Sequence, residues 1–371
     1  MRRILSLCAL LTISVSLTNA QNEEGGSISC SQRLRLARAT YEAGRLHELV
    51  GTILGSQAES CFGDEPGSFS KQEKVDALKL ITLAYIYLEE PEKADEAMLR
   101  LLRTDHFYAP DPNADPAEFL ALFNTFRVYP VFSFGGKVGF TATFAHLMKN
   151  YPVGGESVGQ GKYLPGYSVL GGGFIEKELF PNSGSILKNT VAMAEIFLHL
   201  RPNSIEYDQI FTNAANGAPS TVASFKAKST WYDLNLIMRY RLRPKHLLDP
   251  YIGIGSGLSY LSKYDWDIPT TQNKNIDGNT TATVTSGAID VKSAYTNITN
   301  SVMAVGGIKY RFGEIYLNVE ARYQYGLYNI VNPKNRTVDA LTFNYNVTVN
   351  DYRQSNFILN VGVTYPKFSP R

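Results

Sequence analysis

The sequence predicts an α + β chain: a helical-hairpin domain followed by an antiparallel, eight-stranded transmembrane β-barrel. Two observations predict it. Between residues 21 and 130 apolar residues recur at helical spacing, whereas from residue 131 onward they alternate with polar ones, the period of a half-exposed strand. Charge divides at the same point: 21–130 carries 18 acidic and 11 basic residues, a net of −7, while 131–371 carries 16 acidic and 23 basic residues, a net of +7.

The 371-residue chain is 44% hydrophobic, 12% aromatic and 19% charged, which excludes a disordered or collagen-like chain and argues against a nucleic-acid partner. With 3 Cys and 5 His, neither a disulfide scaffold nor a multi-histidine metal centre is expected, and no cofactor motif appears. Arg2 and Arg3, the apolar run Ile4 to Leu17 and the small residue Ala20 read as a signal peptide over 1–20, with cleavage before Gln21. Cleavage leaves Cys30 and Cys61 in an oxidising compartment, where a lone pair is expected to form a disulfide. No later run reaches the roughly 18 apolar residues of a membrane-spanning helix, so a membrane would be crossed by strands.

In the helical domain, 21–130, Leu34, Ala37 and Tyr41 form one stripe, ended by Gly44, and Leu46, Leu49, Val50 and Ile53 a second. Val75, Leu78, Leu83, Ala84 and Tyr87 make a long helix. Glu89-Glu90-Pro91 turns the chain, and Ala94, Ala97, Leu101 and Leu102 make its partner. Asp115 and Pro116 mark the start of a further helix carrying Phe119, Leu120 and Phe123. Asp111, Asn113 and Asp115 imitate a calcium loop, but Pro116 and Leu122 stand where glycine and glutamate belong, so a capping turn is expected.

From 131 to 371, eight strands of about 10 to 14 residues are expected: Lys137 to His146, Tyr167 to Glu176, Asn189 to Leu200, Tyr232 to Tyr240, Pro250 to Leu261, Ser301 to Phe312, Glu314 to Gly326 and Phe357 to Tyr365. Each has one apolar face, as in Ile315, Leu317, Val319, Ala321 and Tyr323 against Asn318, Glu320, Arg322 and Gln324. Links near Pro181, Arg243-Pro244 and Gly313 are short. His146 to Pro165, Arg201 to Ser229, Ser262 to Asn300 and Tyr328 to Arg353 read as long loops. Gly171-Gly172-Gly173 lacks a following Lys-Ser/Thr and reads as strand glycines that relieve curvature or fit a bulky neighbour rather than as a phosphate loop.

An eight-stranded barrel is just wide enough for side chains to fill. Glu195, Asp233, Arg239, Lys309, Glu320 and Arg322 are therefore expected to pair inside it as a charge network. Tyr151, Tyr207, Trp266, Tyr295 and Tyr345 are candidate loop contacts for an external ligand. For an enzyme, Glu195 with His199, or His146 with Asp208, are the candidates, but no residue pattern fixes a nucleophile beside an oriented base.

Two resemblances sharpen these expectations. Tyr41-Glu-Ala-Gly44-Arg-Leu46 and the segment from Ala84 to Ala97 resemble tetratricopeptide helix pairs, although 57–70 breaks the usual period. Trp231 to Arg241, Pro250 to Gly257 and Asn360 to Tyr365, with the linker from Asp115 to Pro130, resemble PorT-like small outer-membrane barrels of Bacteroidetes-type bacteria. That resemblance implies a barrel surrounded by outer-membrane lipid and carrying a periplasmic helical module. Other envelope proteins would dock on the module in an assembly, secretion or transport complex; the four long loops leave the alternative of a surface ligand-binding or adhesion barrel that acts through them.

Overall fold

The computed structural model describes residues 28–151, 161–181, 186–207, 223–244, 247–267, 271–274, 280–284, 287–345 and 347–370. The signal-peptide reading of 1–20 and the candidate Asp208 lie outside them. The chain divides into two compact units, at Thr125/Phe126.

In the first unit, α1 (Cys30–Glu42) begins at Ser29, whose hydroxyl accepts from the Gln32 N–H while the Gln32 side chain accepts from the Ser29 N–H. It ends before Gly44, whose φ of 73° is a conformation glycine adopts without penalty. The expected helix over Leu46 to Ile53 is reduced to one turn, α2 (Leu46–Glu48), and a π turn, Leu49–Ile53. Gly51 and the β-branched pair Thr52-Ile53 give a weak continuation. A 3-10 segment, Ser56–Phe62, brings Cys61 to Cys30, and the two form a disulfide with Cα atoms 5.6 Å apart.

The hairpin α3 (Lys71–Tyr87) and α4 (Pro91–Thr104) follows the expected lines. Ala84, Ala94 and Ala97 are buried, and their small side chains let the two helices approach. Met98, Leu101 and Leu102 fill the centre of this core. The last helix, α5 (Ala117–Thr125), buries Phe119 and Phe123, both edge-on to Tyr108 at 6.4 and 6.1 Å. Asp111 and Asp115 serve as turn residues, each accepting a backbone N–H at 2.9 Å.

At the start of α3 the Glu73 carboxylate accepts from the Ser31 hydroxyl at 2.7 Å and from the Ser70 N–H and hydroxyl, each at 2.9 Å. These bonds, that from Ser31 foremost, hold its pKa below the usual 4.5. The stability this lends is present above the usual value and lost as pH falls through the lowered one. Helical ellipticity should therefore melt at lower temperature in acid, and Glu73→Gln should flatten that dependence. Ser70→Ala should cost about 1 kcal/mol at neutral pH, read as a lower helical melting temperature.

The second unit is a closed barrel. Its strands are β1 (Phe132–Lys149), β2 (Gly161–Glu178), β3 (Thr190–Tyr207), β4 (Ala223–Arg241) and β5 (Leu248–Asp267), followed by β9 (Ile298–Phe312), β10 (Ile315–Gly326) and β11 (Asp351–Lys367). Each pairs antiparallel with the next, and β1 closes the ring on β11. Between β5 and β9 lie the hairpin β6 (Thr271–Lys274) with β7 (Thr280–Val284), and β8 (Ala288–Asp290), which pairs with β5. A short helix, α6 (Asp339–Tyr345), lies between β10 and β11.

The barrel strands run 12 to 20 residues. They extend into the regions read as long loops at Arg201 to Ser229 and Ser262 to Asn300, a correction to the expected lengths. The reason lies in the alternation. On β4, Tyr232, Leu234, Leu236 and Met238 point outward while Asp233, Asn235 and Arg239 are buried in the lumen. Above Trp231 the same parity carries opposite chemistry: Phe225, Ala227 and Trp231 are buried, and Lys226 and Lys228 point out. That inversion hides a continuous strand from a reading that seeks one apolar face.

Candidate functional site

The lumen carries the most chemistry, and it is built by the inward parity of all eight barrel strands. At the short-turn mouth, Arg241 pairs with Glu178 and Asp249. One level in, Glu176 accepts from both Arg239 and Lys309. In the middle, Lys137 meets Glu195 at 2.7 Å and Glu320 at 3.1 Å, and Arg322 meets the same two carboxylates at 2.8 and 2.6 Å. All four side chains are at most 2% exposed. Tyr251 donates to Glu320 at 2.8 Å. Higher still, Arg201 grips Asp233 at 2.6 Å, and the His199 ring bridges Asp233 at 2.8 Å and Thr141 at 3.2 Å. Six cations thus meet six carboxylates in direct pairs.

The six residues expected as a lumen network all face the lumen, distributed over three tiers. Lys137, Glu176 and Arg201, which complete those tiers, were not among them. For Lys137 a signal existed: it shares a parity with Gly135, Gly139 and Thr141, opposite Val138 and Phe140. Arg201 opens the segment expected as a long loop, Arg201 to Ser229. Glu195 has Lys137 and Arg322 as partners, while His199 pairs with Asp233, so the Glu195/His199 pairing is corrected. The row Thr141, His199, Asp233 has the order of a nucleophile, base and orienting acid, yet all three are buried beneath an apolar lid.

That lid closes the long-loop end. Tyr207, Phe225, Trp231, Leu261, Tyr264, Trp266 and Tyr352 project inward from the upper barrel and pack on Val291, Tyr295, Ile330, Val331, Leu341 and Val349 from the connecting segments. Tyr264 and Tyr295 stack at 3.8 Å, and the Tyr264 and Tyr352 hydroxyls share a hydrogen bond of 2.6 Å. Three of the expected surface contacts, Tyr207, Trp266 and Tyr295, therefore belong to a buried core and are corrected. Above the bilayer the wall faces water, so the interior must be apolar, as in a soluble protein. Tyr151 is half-buried, donating to Asp351 at 3.0 Å; Tyr345 ends α6.

Glycine makes room for the lumen side chains. A Cβ on Gly307 would sit 2.6 Å from the Tyr251 hydroxyl and 2.7 Å from the Val319 carbonyl, whereas one on lipid-facing Gly306 would meet nothing within 4 Å. Gly307→Ala should cost about 1–3 kcal/mol by overpacking and Gly306→Ala next to nothing, measured as urea midpoints in vesicles. Gly172 likewise lies against Phe197, as expected for a strand glycine beside a bulky neighbour.

Outside, the wall carries a belt of Val138, Phe140, Val169, Ile196, Leu234, Leu236, Ile254, Val319, Leu359 and Val361, all exposed. Aromatic rings border it: Tyr232 opposite Tyr260 and Tyr323 opposite Phe357 above, Phe134 stacked on Tyr365 below. From Phe357 to Tyr365 the chain advances about 26 Å at ~3.3 Å per residue, or about 20 Å vertically at a tilt near 40°. A closed barrel with a paired polar lumen, an apolar belt and aromatic girdles is a β-barrel of the outer-membrane type.

No protein-family profile and no curated protein matches the chain. Among solved structures, the chain is similar to the outer membrane protease OmpT from Escherichia coli, with 11% identity over 63% of this chain and 96% of that one, at a TM-score of 0.37. It is also similar to Ail, the attachment invasion locus protein of Yersinia pestis, with 8% identity, 63% and 99% coverage and a TM-score of 0.27. A third is Neisserial surface protein A, with 14% identity, 63% and 97% coverage and a TM-score of 0.23.

Proposed function

We propose that this protein is a non-enzymatic outer-membrane barrel that anchors a periplasmic, tetratricopeptide-like helical module, serving as an accessory or scaffold subunit of an envelope assembly, secretion or transport complex. The observation that carries the proposal is the filled lumen: tiers of matched charges below, an apolar lid above. A barrel filled in this way has its working surface elsewhere. The helical unit has its own core, a capped hairpin and a disulfide, and Pro130 and Val131 lead from it into β1 at the short-turn end, the periplasmic end in barrels of this kind.

The test is cross-linking in intact envelopes followed by capture of the barrel, comparing the full chain with one lacking residues 21–129. A defined set of envelope proteins lost with the helices supports the adaptor. An unchanged set, with both barrels in the outer-membrane fraction, contradicts it.

A further inference from the structure

Just beyond the upper girdle, the outer wall is uneven in charge. On the β4/β5 side two exposed cations have a carboxylate beside them, Lys228 with Asp267 and Lys263 with Asp265 at 2.6 Å, and Lys226 stands opposite Asp267 in the strand register. On the β10/β11/β1 side the balance differs. Arg353 on β11 stands opposite His146 on β1, and Lys149 opposite Asp351. Among the described residues the one carboxylate ion-paired there, Asp351, is engaged by Arg336 at 3.3 Å. Arg353 and Lys149 have no carboxylate within ion-pair distance among the described residues; Arg353 donates to the Tyr325 hydroxyl at 2.7 Å, and Lys149 lies over the Tyr151 ring.

The height of this cluster matters as much as its charge. Tyr325 is two residues above the girdle residue Tyr323, and Arg353 is four above Phe357, about 13 Å along the strand at ~3.3 Å per residue. A long arginine side chain that reaches back to Tyr325 places its guanidinium at headgroup depth, directly continuous with the apolar belt of Phe144, Tyr323 and Phe357. Guanidinium and ammonium groups beside an aromatic hydroxyl, above a surface that holds acyl chains, complement one molecule with both parts: a lipid with a phosphate headgroup.

From this juxtaposition we infer that Arg353, Lys149 and His146, with Tyr325, form a binding site on the outer wall for the phosphate headgroup of an outer-leaflet lipid. The inference rests on the membrane-barrel reading and adds a fixed lipid position to it.

The test uses the full chain in nanodiscs of phosphatidylcholine with a minor fraction of phosphatidic acid. Native mass spectrometry reads the ratio of the two lipids retained on the released barrel, and heat-modifiable mobility reports folding in the same samples. The wild type should retain phosphatidic acid selectively. Arg353→Gln with Lys149→Gln should lower that selectivity on the order of tenfold or more. Arg353→Lys, and Lys228→Gln with Lys263→Gln on the opposite wall, should preserve it. Selectivity unchanged by the first pair, or lost equally with the second, overturns the site. Inorganic phosphate in excess should leave the lipid bound; displacement by it would overturn the lipid in favour of a free-anion site. A folded, heat-modifiable wild type with no selectivity would defeat this inference alone and leave the membrane barrel standing.

Discussion

Lys137→Met is expected to destabilise the barrel by about 3–5 kcal/mol, because it leaves two buried carboxylates with one guanidinium between them. Lys137 is the one group that reaches both Glu195 and Glu320 from the β1 side, and its own side chain is 1% exposed. The loss is one of charge matching more than of packing, as Met has nearly the length of Lys. Lys137→Met combined with Glu195→Gln restores neutrality around Arg322 and Glu320 and should recover a large part of the lost stability. Urea unfolding in vesicles, followed by tryptophan fluorescence, separates the two cases: Trp231 and Trp266 are both fully buried in the lid and report its opening. Equal midpoints for the single and double variants would show that the tier is held by packing alone.

Removal of the Cys30–Cys61 bridge is the second large effect. The bond joins residues 31 apart in sequence, and closing a loop of that length restricts the unfolded chain by about 3–4 kcal/mol. It secures an element with a small core of its own: α1 buries only Leu34, Ala37 and Thr40. Cys30→Ser, Cys61→Ser or reduction should each lower the helical melting temperature, with the three conditions converging. A melt that dithiothreitol leaves unmoved would show that packing of α1 on its neighbours is sufficient.

How legible the molecule was depends on what sets each element. The α3/α4 hairpin and the bilayer-spanning half of each strand declare themselves, because one face is apolar and the other is not, at the period of the element. The lumen network was half legible: Glu320 and Arg322 stand on the polar face of an unmistakable strand, whereas Arg201 is the last residue before Pro202 interrupts the outward apolar row of Ile196, Leu198 and Leu200. The lid was not legible. Tyr207, Trp266 and Tyr295 look like exposed loop aromatics until the strands are seen to run past the bilayer, where water outside reverses which face must be apolar. The helix expected over Leu46 to Ile53 failed on local grounds, at Gly51 and the β-branched residues after it. A match between a strand's parity and its chemistry that flips midway is therefore itself a readable sign of a wall leaving the membrane.

The filled lumen is the claim on which the functional reading stands, and planar-bilayer conductance of the folded full chain tests it most directly. With the charge tiers paired and the lid packed, insertion should produce no ohmic steps in potassium chloride, and the membrane current should stay at baseline. Reproducible unitary conductance from the folded, heat-modifiable protein would contradict the account and make the tiers of Lys137, Glu195, Glu320 and Arg322 the lining of a pore.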